Sequence, residues 1–180
     1  MYQQESAPPS GAVKFLTWMT VGILIFVTLM MIFAGGVTSG LHSPVSGIMW
    51  GVAAFMIVGS VVLLWLCWAQ KPRMIRVEAG RLIVERKSPW ANMEIELGQL
   101  QRVEILDKLP KLTWRLFGNG GVFCFSGTFY HRNFGRFRAS ITTLKNLVLI
   151  VTPQKTLIIS PADPQALIDF IKSQYAVVPR

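Results

Sequence analysis

Residues 15–37 read FLTWMTVGILIFVTLMMIFAGGV, and residues 47–69 read GIMWGVAAFMIVGSVVLLWLCWA. Neither run contains Asp, Glu, Lys or Arg. Each run has 23 residues. A helix of that length spans about 34 Å at about 1.5 Å per residue, more than the roughly 30 Å hydrocarbon core of a bilayer. Because a helix satisfies its own backbone hydrogen bonds in lipid, the two runs predict a membrane-spanning helical hairpin over residues 14–70.

Tryptophan and charge near the ends of the runs predict their orientation. Trp18, Trp50, Trp65 and Trp68 lie near the ends, where aromatic belts form at the two membrane interfaces. Residues 38–46 between the runs carry no Lys or Arg, whereas residues 71–87 carry six and Lys14 precedes the first run. Since positive charge near membrane helices stays on the cytoplasmic side, both termini are expected in the cytoplasm.

Two alternatives to a membrane hairpin are weaker. A buried hairpin in a soluble core would normally have amphipathic or shorter helices. A cleaved signal peptide would have a shorter apolar stretch than the first run, and the second run would still anchor the chain.

The rest of the chain divides into a tail and one domain. Residues 1–13, MYQQESAPPSGAV, are polar and proline-containing, so we expect a disordered cytoplasmic tail, with a docking peptide as the alternative. Residues 71–180 have the length of a single domain. From Arg73 onward there are 16 Lys and Arg against 8 Asp and Glu, so most of the chain's net charge of +9 lies in this domain. Beside a membrane this charge indicates anionic lipid, while no motif indicates nucleic acid.

Alternating apolar residues predict a sheet-rich domain. Residues 74–86 are typical of a hairpin with its turn at Gly80, and FGNGG predicts another turn at Gly118–Gly121. Asp163 and Pro164 are a helix-start signal before an apolar helical repeat that ends at Tyr175. The prediction is seven or eight short antiparallel strands, with a C-terminal helix that plugs the open end of a barrel. The further strands are expected at residues 93–97, 103–106, 113–117, 122–129, 135–140, 147–152 and 156–160.

Four short stretches carry a resemblance to a known family: RLFGNGG at 115–121, GTF at 127–129, Gly135, and IISPADP at 158–164. In this order, after two membrane helices, residues 73–175 resemble the bacterial PH-like domain membrane proteins. The resemblance implies a PH-like split barrel of about seven antiparallel strands, closed by a C-terminal helix, at the cytoplasmic face of the bacterial inner membrane. It brings no catalytic residue, cofactor or metal.

A basic stretch is the candidate binding site. Between residues 108 and 145 there are seven cations and no acid, interleaved with aromatic residues such as Tyr130 and Phe134. Near an anionic surface each cation contributes about 1 kcal/mol, so these residues are candidate contacts for lipid phosphates. The alternative is an ordinary solvated face. The seven cations are Lys108, Lys111, Arg115, Arg132, Arg136, Arg138 and Lys145.

No pattern indicates catalysis or a cofactor. CFSGT at 124–128 lacks the GxSxG frame of a nucleophile elbow, and the acids have no His nearby in sequence. Two histidines and two cysteines show no zinc spacing. A disulfide between Cys67, in the second run, and Cys124 is not expected on geometry or compartment.

Two hypotheses about function follow. The first is a non-enzymatic membrane protein whose domain contacts the anionic membrane surface or a membrane-associated ligand. The second is a protein-interaction subunit of a larger membrane complex. Lipid contact requires Arg132, Arg136 and Arg138 on the membrane side of the domain, and the opposite placement favours a protein partner. The Gly47–Gly51 pair forms a GxxxG motif that predicts close packing of the two helices, with homodimerisation as the alternative.

Overall fold

The computed structural model describes residues 1–40, 45–110 and 113–175. Helix α1 (Gly11–Gly40) and helix α2 (Val45–Ala69) contain the two apolar runs, and α1 begins before the predicted position. The most apolar stretches of the two helices are only 6% and 11% buried. Such exposure of long apolar helices is unlike a soluble core and is typical of side chains that face lipid.

The helices pack differently from the prediction. A Cβ atom added at Gly47 or Gly51 would meet no atom within 4 Å, so the GxxxG motif does not pack α2 on α1. The close approach is instead at Gly35 of α1, where an added Cβ would lie 3.3 Å from the ring of Trp50. Since the large indole needs a small residue opposite it, the glycine that permits close packing of the two helices lies on the first helix.

The prediction that residues 1–13 form a disordered tail is wrong. Strand β1 (Tyr2–Glu5) pairs antiparallel with strand β2 (Pro72–Glu78), in a register that places Tyr2 opposite Val77. Tyr2 also stacks on Phe170, with 4.7 Å between ring centroids. The tail is polar because it forms a sheet edge, where backbone pairing and one aromatic contact suffice to order it.

Two sheets form the domain. The first has the order β1-β2-β3-β4, with β3 at Arg81–Arg86 and β4 at Met93–Glu96. The second has the order β5-β9-β10-β8-β7-β6. Its strands are β5 (Arg102–Lys108), β6 (Trp114–Gly120), β7 (Phe125–His131), β8 (Gly135–Ile141), β9 (Lys145–Val151) and β10 (Thr156–Ile159).

The broad fold prediction is confirmed, with two corrections. The sheets do not close into one continuous barrel, and β10 pairs parallel with β8 although every other pair in the described residues is antiparallel. The parallel pair arises because the β9–β10 hairpin folds back so that β10 lies between β9 and β8.

The main core lies between the sheets and α3 (Pro164–Gln174). Asp163 caps α3 by accepting a 3.0 Å hydrogen bond from the N–H of Ala166, as the sequence predicted. Leu167 and Ile171 are fully buried in this core. The helix therefore closes the space between the sheets by burying its apolar side. A second apolar cluster, which includes Phe129 and Phe137, lies on the other face of the six-stranded sheet.

The turn between β6 and β7 lies later than predicted. Strand β6 continues to Gly120, and the turn occupies 121–124. Gly118 and Gly127 pair across the strands with positive φ, and an added Cβ at Gly127 would lie 2.1 Å from the carbonyl oxygen of Phe117. These glycines therefore permit a close backbone approach within the hairpin and do not form its turn.

Candidate membrane-facing site

Two loops of the domain are hydrogen-bonded to the membrane helices. The N–H groups of Lys87 and Ser88 donate to the carbonyls of Lys71 (3.0 Å) and Ala69 (3.2 Å) at the end of α2. The N–H of Phe123 donates to Oγ1 of Thr17 in α1 (2.8 Å). The loops 87–92 and 121–124, together with Lys71 and Arg73, are called the junction face below. Its position relative to the helices is set by a backbone–backbone hydrogen bond at α2 and by a bond from a backbone N–H to the Thr17 hydroxyl at α1.

The junction face carries an exposed tryptophan beside the apolar span. Trp90 follows Pro89 in a short 3-10 turn and is 62% exposed. Its ring centroid lies 6.4 Å from that of Trp65, within the apolar run of α2. Nζ of Lys87 lies 5.7 Å from the ring centroid of Trp68, within the range of a cation–π contact. An indole at the level of Trp65 is therefore supplied by the domain itself.

Cations of the junction face line a groove. Lys71, Arg73 and Lys87 surround a space of about 250 Å³ against the segment 5–9, whose Glu5 is the one acid among the lining residues. In the part of the chain that the structure describes, none of these three cations forms an ion pair, whereas Arg76 pairs with Glu85 at 3.2 Å. The groove therefore concentrates positive charge at the end of α2.

The basic residues singled out in the sequence are distributed over the second sheet. Arg136 lies in one cross-strand row with Tyr130 and Trp114, and Arg138 lies two residues along β8 on the same face. Lys108 and Lys145 are directly opposite each other on β5 and β9. Arg115 on β6 lies over Gly120, Arg132 lies in the β7–β8 turn, and Lys111 lies outside the described residues.

These residues do not form one patch with the junction face. Strand β7 begins just after the turn that contacts α1 and runs to His131. Arg132 and Arg136 therefore lie at the opposite end of this strand, about 25 Å from the turn at about 3.3 Å per residue. Whether the seven cations contact lipid stays a prediction, and the placement of Arg132 and Arg136 favours the partner hypothesis for that end of the sheet.

Arg138 has a different neighbour, Arg86. Arg86 ends β3 next to Lys87, and its side chain is half-buried. Burial lowers the pKa of Arg86 to about 10; the neighbouring Cys124 raises it and the charge of Arg138 lowers it further. Burial also raises the pKa of Cys124 to about 12, so its thiol is neutral at pH 7. The space between the sheets at Arg86, Cys124 and Arg138 is called the cleft below. At neutral pH it holds two arginine charges and an uncharged thiol.

Strand β6 forms an apolar edge of the second sheet. Trp114, Leu116 and Phe117 are all exposed, with Phe117 at 81%. Because β6 is the last strand in its sheet, its outer backbone groups have no strand neighbour among the described residues. Exposed edges with large apolar side chains are typical of surfaces that bind another chain.

Sequence reasoning missed Trp90, Phe123 and Arg86 as site residues. Lys71 and Lys87 were used to orient the hairpin but were not connected to a site. One signal was available: the Pro89-Trp90 pair between the hairpin predicted at 74–86 and the strand predicted at 93–97. The contact between Trp90 and Trp65 could not be derived from spacing, since it depends on the path of the β3–β4 loop.

Comparison with known proteins identifies the domain. The family model described as bacterial PH domain matches residues 73–175, which is more than half of the chain. No match is found among curated proteins or among solved structures. The matched range covers the strands from β2 onward and helix α3, in agreement with the sequence resemblance.

Proposed function

Because the chain belongs to the bacterial PH domain family, and its two helices are long and apolar enough to cross a bilayer, we propose that it is a non-enzymatic integral membrane protein whose domain contacts the anionic membrane surface. The contact is made by the junction face. The protein lies in the bacterial inner membrane with both termini in the cytoplasm, an orientation supported by Lys14 and Lys71 at the two helix ends.

The observation that carries this proposal is the direct continuation of α2 into the first sheet. Only Gln70 and Lys71 separate α2 from β2. The bonds from Ser88 to Ala69, the last residue of α2, and from Lys87 to Lys71 in the connection leave the domain little freedom to move away from the bilayer. A surface attached in this way at the end of a membrane span lies at the level of the lipid headgroups.

The side chains at that level fit such a position. Trp90 is amphipathic, as are the residues of interfacial aromatic belts. Lys71, Arg73 and Lys87 each contribute about 1 kcal/mol beside anionic lipid, and salt screens this contribution. Since the helices already anchor the chain, the contact sets the orientation of the domain rather than recruiting it.

Photo-crosslinking tests the proposal. Benzoylphenylalanine replaces Trp90 in the full-length protein, which is reconstituted in vesicles that contain anionic lipid. The matched control places the same group at Gln154, an exposed residue in the β9–β10 turn. This turn lies at the far end of β9 from Thr142, and Thr142 is hydrogen-bonded to the N-terminal segment that leads into α1. We expect lipid adducts at position 90 and none at 154. Absence of lipid adducts at position 90 would overturn the proposal.

The exposed β6 edge supports a second candidate function, a protein-interaction subunit of a larger membrane complex. Its apolar side chains Trp114, Leu116 and Phe117 are exposed, whereas Phe129 on the neighbouring strand β7 is buried. Benzoylphenylalanine at Phe117 should then yield a discrete protein adduct in native membranes. Unspecific adducts of many sizes, matching those formed from position 154, would contradict this function.

A further inference from the structure

Arg86 is a half-buried charge that has no counterion in the described part of the chain. Its Nε atom is buried and donates to no acceptor among residues 1–40, 45–110 and 113–175. Its Nη2 atom contacts the sulfur of Met93, a weak acceptor, and no carboxylate within the same ranges pairs with it. Arg76, on the neighbouring strand, shows the usual solution, because its guanidinium pairs with Glu85.

The second cation at this place increases the imbalance. Arg138 pairs directly with Leu157 of the main core, and Nη2 of Arg86 contacts Met93 of the same core. Both side chains therefore face the space between the two sheets, and the charge of Arg138 opposes that of Arg86. The thiol of Cys124 and the thioether of Met93 are uncharged, and the Asn92 side-chain oxygen accepts from the backbone N–H of Arg86 and not from its guanidinium. A partly desolvated charge without a partner destabilises the fold, and a like charge beside it increases that cost.

The position of the cleft indicates what could balance these charges. Arg86 directly precedes Lys87, which is bonded to the end of α2, and Cys124 directly follows Phe123, which is bonded to α1. Arg86 therefore lies beside the ends of both membrane helices, and Arg138 faces the same space from the second sheet. This is the level at which phosphate groups of lipids lie when the domain contacts the bilayer.

We propose that Arg86 and Arg138 together bind one phosphate ester, with the phosphate of an anionic phospholipid headgroup as its source. The guanidinium forks present several N–H donors in a plane and bind phosphate oxygens in pairs, which Lys cannot do. The site deepens the proposed function and rests on it for the lipid source, since only a domain at headgroup level can reach a lipid phosphate.

Thermal unfolding of the full-length protein in detergent tests the site. The probes are dihexanoyl phosphatidylglycerol, glycerol phosphate and inorganic phosphate, with sodium chloride at matched ionic strength as the reference. We expect phosphatidylglycerol to raise Tm in a saturable manner. A larger effect of the lipid than of glycerol phosphate assigns a lipid source, and equal effects assign a soluble phosphate ester. No saturable rise with any phosphate probe overturns the proposal.

Variants locate the effect. Arg86→Gln and Arg138→Gln should each weaken phosphate binding about tenfold or more, since each removes charged hydrogen bonds. Arg136→Gln is the matched control on the same face of β8 and should change binding less than about twofold. Equal losses in Arg136→Gln and Arg138→Gln would mean unspecific charge attraction and would overturn the site.

A further variant separates a failed fold from a failed site. Arg86→Met places an apolar side chain beside Met93 and should raise Tm without added anion while abolishing the response to phosphate. A lower Tm would identify Arg86 as a structural support and contradict the proposal. The adduct at position 90 reports bilayer contact independently. A phosphate response without that adduct overturns only the proposed function, and the adduct without a response overturns only the site.

Discussion

The junction face and the Arg136–Tyr130–Trp114 row of the second sheet combine the same residue types in different surroundings. Both present arginine or lysine next to exposed aromatic rings. The junction face is bonded to the ends of α1 and α2, whereas the row lies near the remote end of β7. Composition therefore does not show where a surface lies relative to the long apolar helices, and only the hydrogen bonds of the junction face place it beside them.

A second contrast lies within the first sheet. Arg76 and Arg86 lie on adjacent strands, yet only Arg76 has a carboxylate partner in the described residues. Arg76 belongs to the solvent side of its hairpin, and Arg86 ends β3 at the helix junction. An unpaired charge retained next to the membrane is a functional feature in our proposal, because a fold selected for stability alone would pair it or replace it.

The largest expected effect is a break in the hairpin that holds the junction face to α1. Gly127→Ala should lower the free energy of unfolding by about 3 kcal/mol or more, since φ is +146° and the new Cβ would collide with the backbone of Phe117. Gly135→Ala is the control: its φ is positive, but no atom lies within 4 Å of the added Cβ. It should cost only about 1 kcal/mol. Thermal unfolding measures both, and equal losses would show that the close approach is unimportant.

The second prediction compares the contributions of the two basic surfaces to lipid contact. Lys71→Gln with Lys87→Gln should weaken the contact with anionic lipid by about 2 kcal/mol, seen as fewer lipid adducts at position 90 at low salt. Arg132→Gln with Arg136→Gln removes the same charge from the end of the second sheet that is remote from the helices. We expect this pair to leave the adducts nearly unchanged. The reverse order of the two double variants would assign lipid contact to the second sheet.

A pH effect follows from the buried thiol of the cleft. The folded-state pKa of Cys124 is raised to about 12 from 9.0, so above pH 9 the unfolded chain loses a proton that the folded chain keeps. Stability should therefore fall between pH 9 and 10 by at most about 1.4 kcal/mol from this group. Arg86 acts in the opposite direction, but only above its folded pKa of about 10. Cys124→Ala should flatten the decline of Tm over this interval, and an unchanged slope would contradict the assignment.

The smallest expected effect tests a single hydrogen bond of the junction. Thr17→Val removes the acceptor for the N–H of Phe123 and should cost about 1 kcal/mol. Thr20→Val is the matched control, because the Thr20 hydroxyl donates only to the carbonyl of Leu16 in its own helix. Hydrogen exchange at the Phe123 amide should rise in the Thr17 variant alone. Similar exchange in both variants would mean that this bond does not hold the turn.

The parts of the fold that could be predicted from the sequence are those with local causes. The β2–β3 hairpin follows from alternation around Gly80, and α3 follows from Asp163 and Pro164. The errors involve partners distant in sequence. The Gly118–Gly121 stretch was predicted to be a turn because glycine favours turns, whereas its close cross-strand neighbour at Gly127 places Gly118 within a strand.

For the candidate site, the sequence predicted the type of residue but not which of these residues lie together in the fold. Arg138 was singled out together with six other cations, and only the packing of the sheets brings it to Arg86. Two residues 52 positions apart share a cleft because β3 and β8 belong to different sheets that face each other. The alternation of residues within one strand gives no information about the distance between two sheets.

The sequence by itself determined the two helices that are long and apolar enough to span a membrane, the positions of most strands and the capped C-terminal helix. These depend on apolar length, on period-2 alternation and on one cap, all of which act within a few residues. Only the tertiary structure decided the pairing of Tyr2 with Val77, the parallel β8–β10 contact and the approach of Trp90 to Trp65. Such contacts depend on how the loops close and on which buried surfaces then meet, and these are properties of the whole chain.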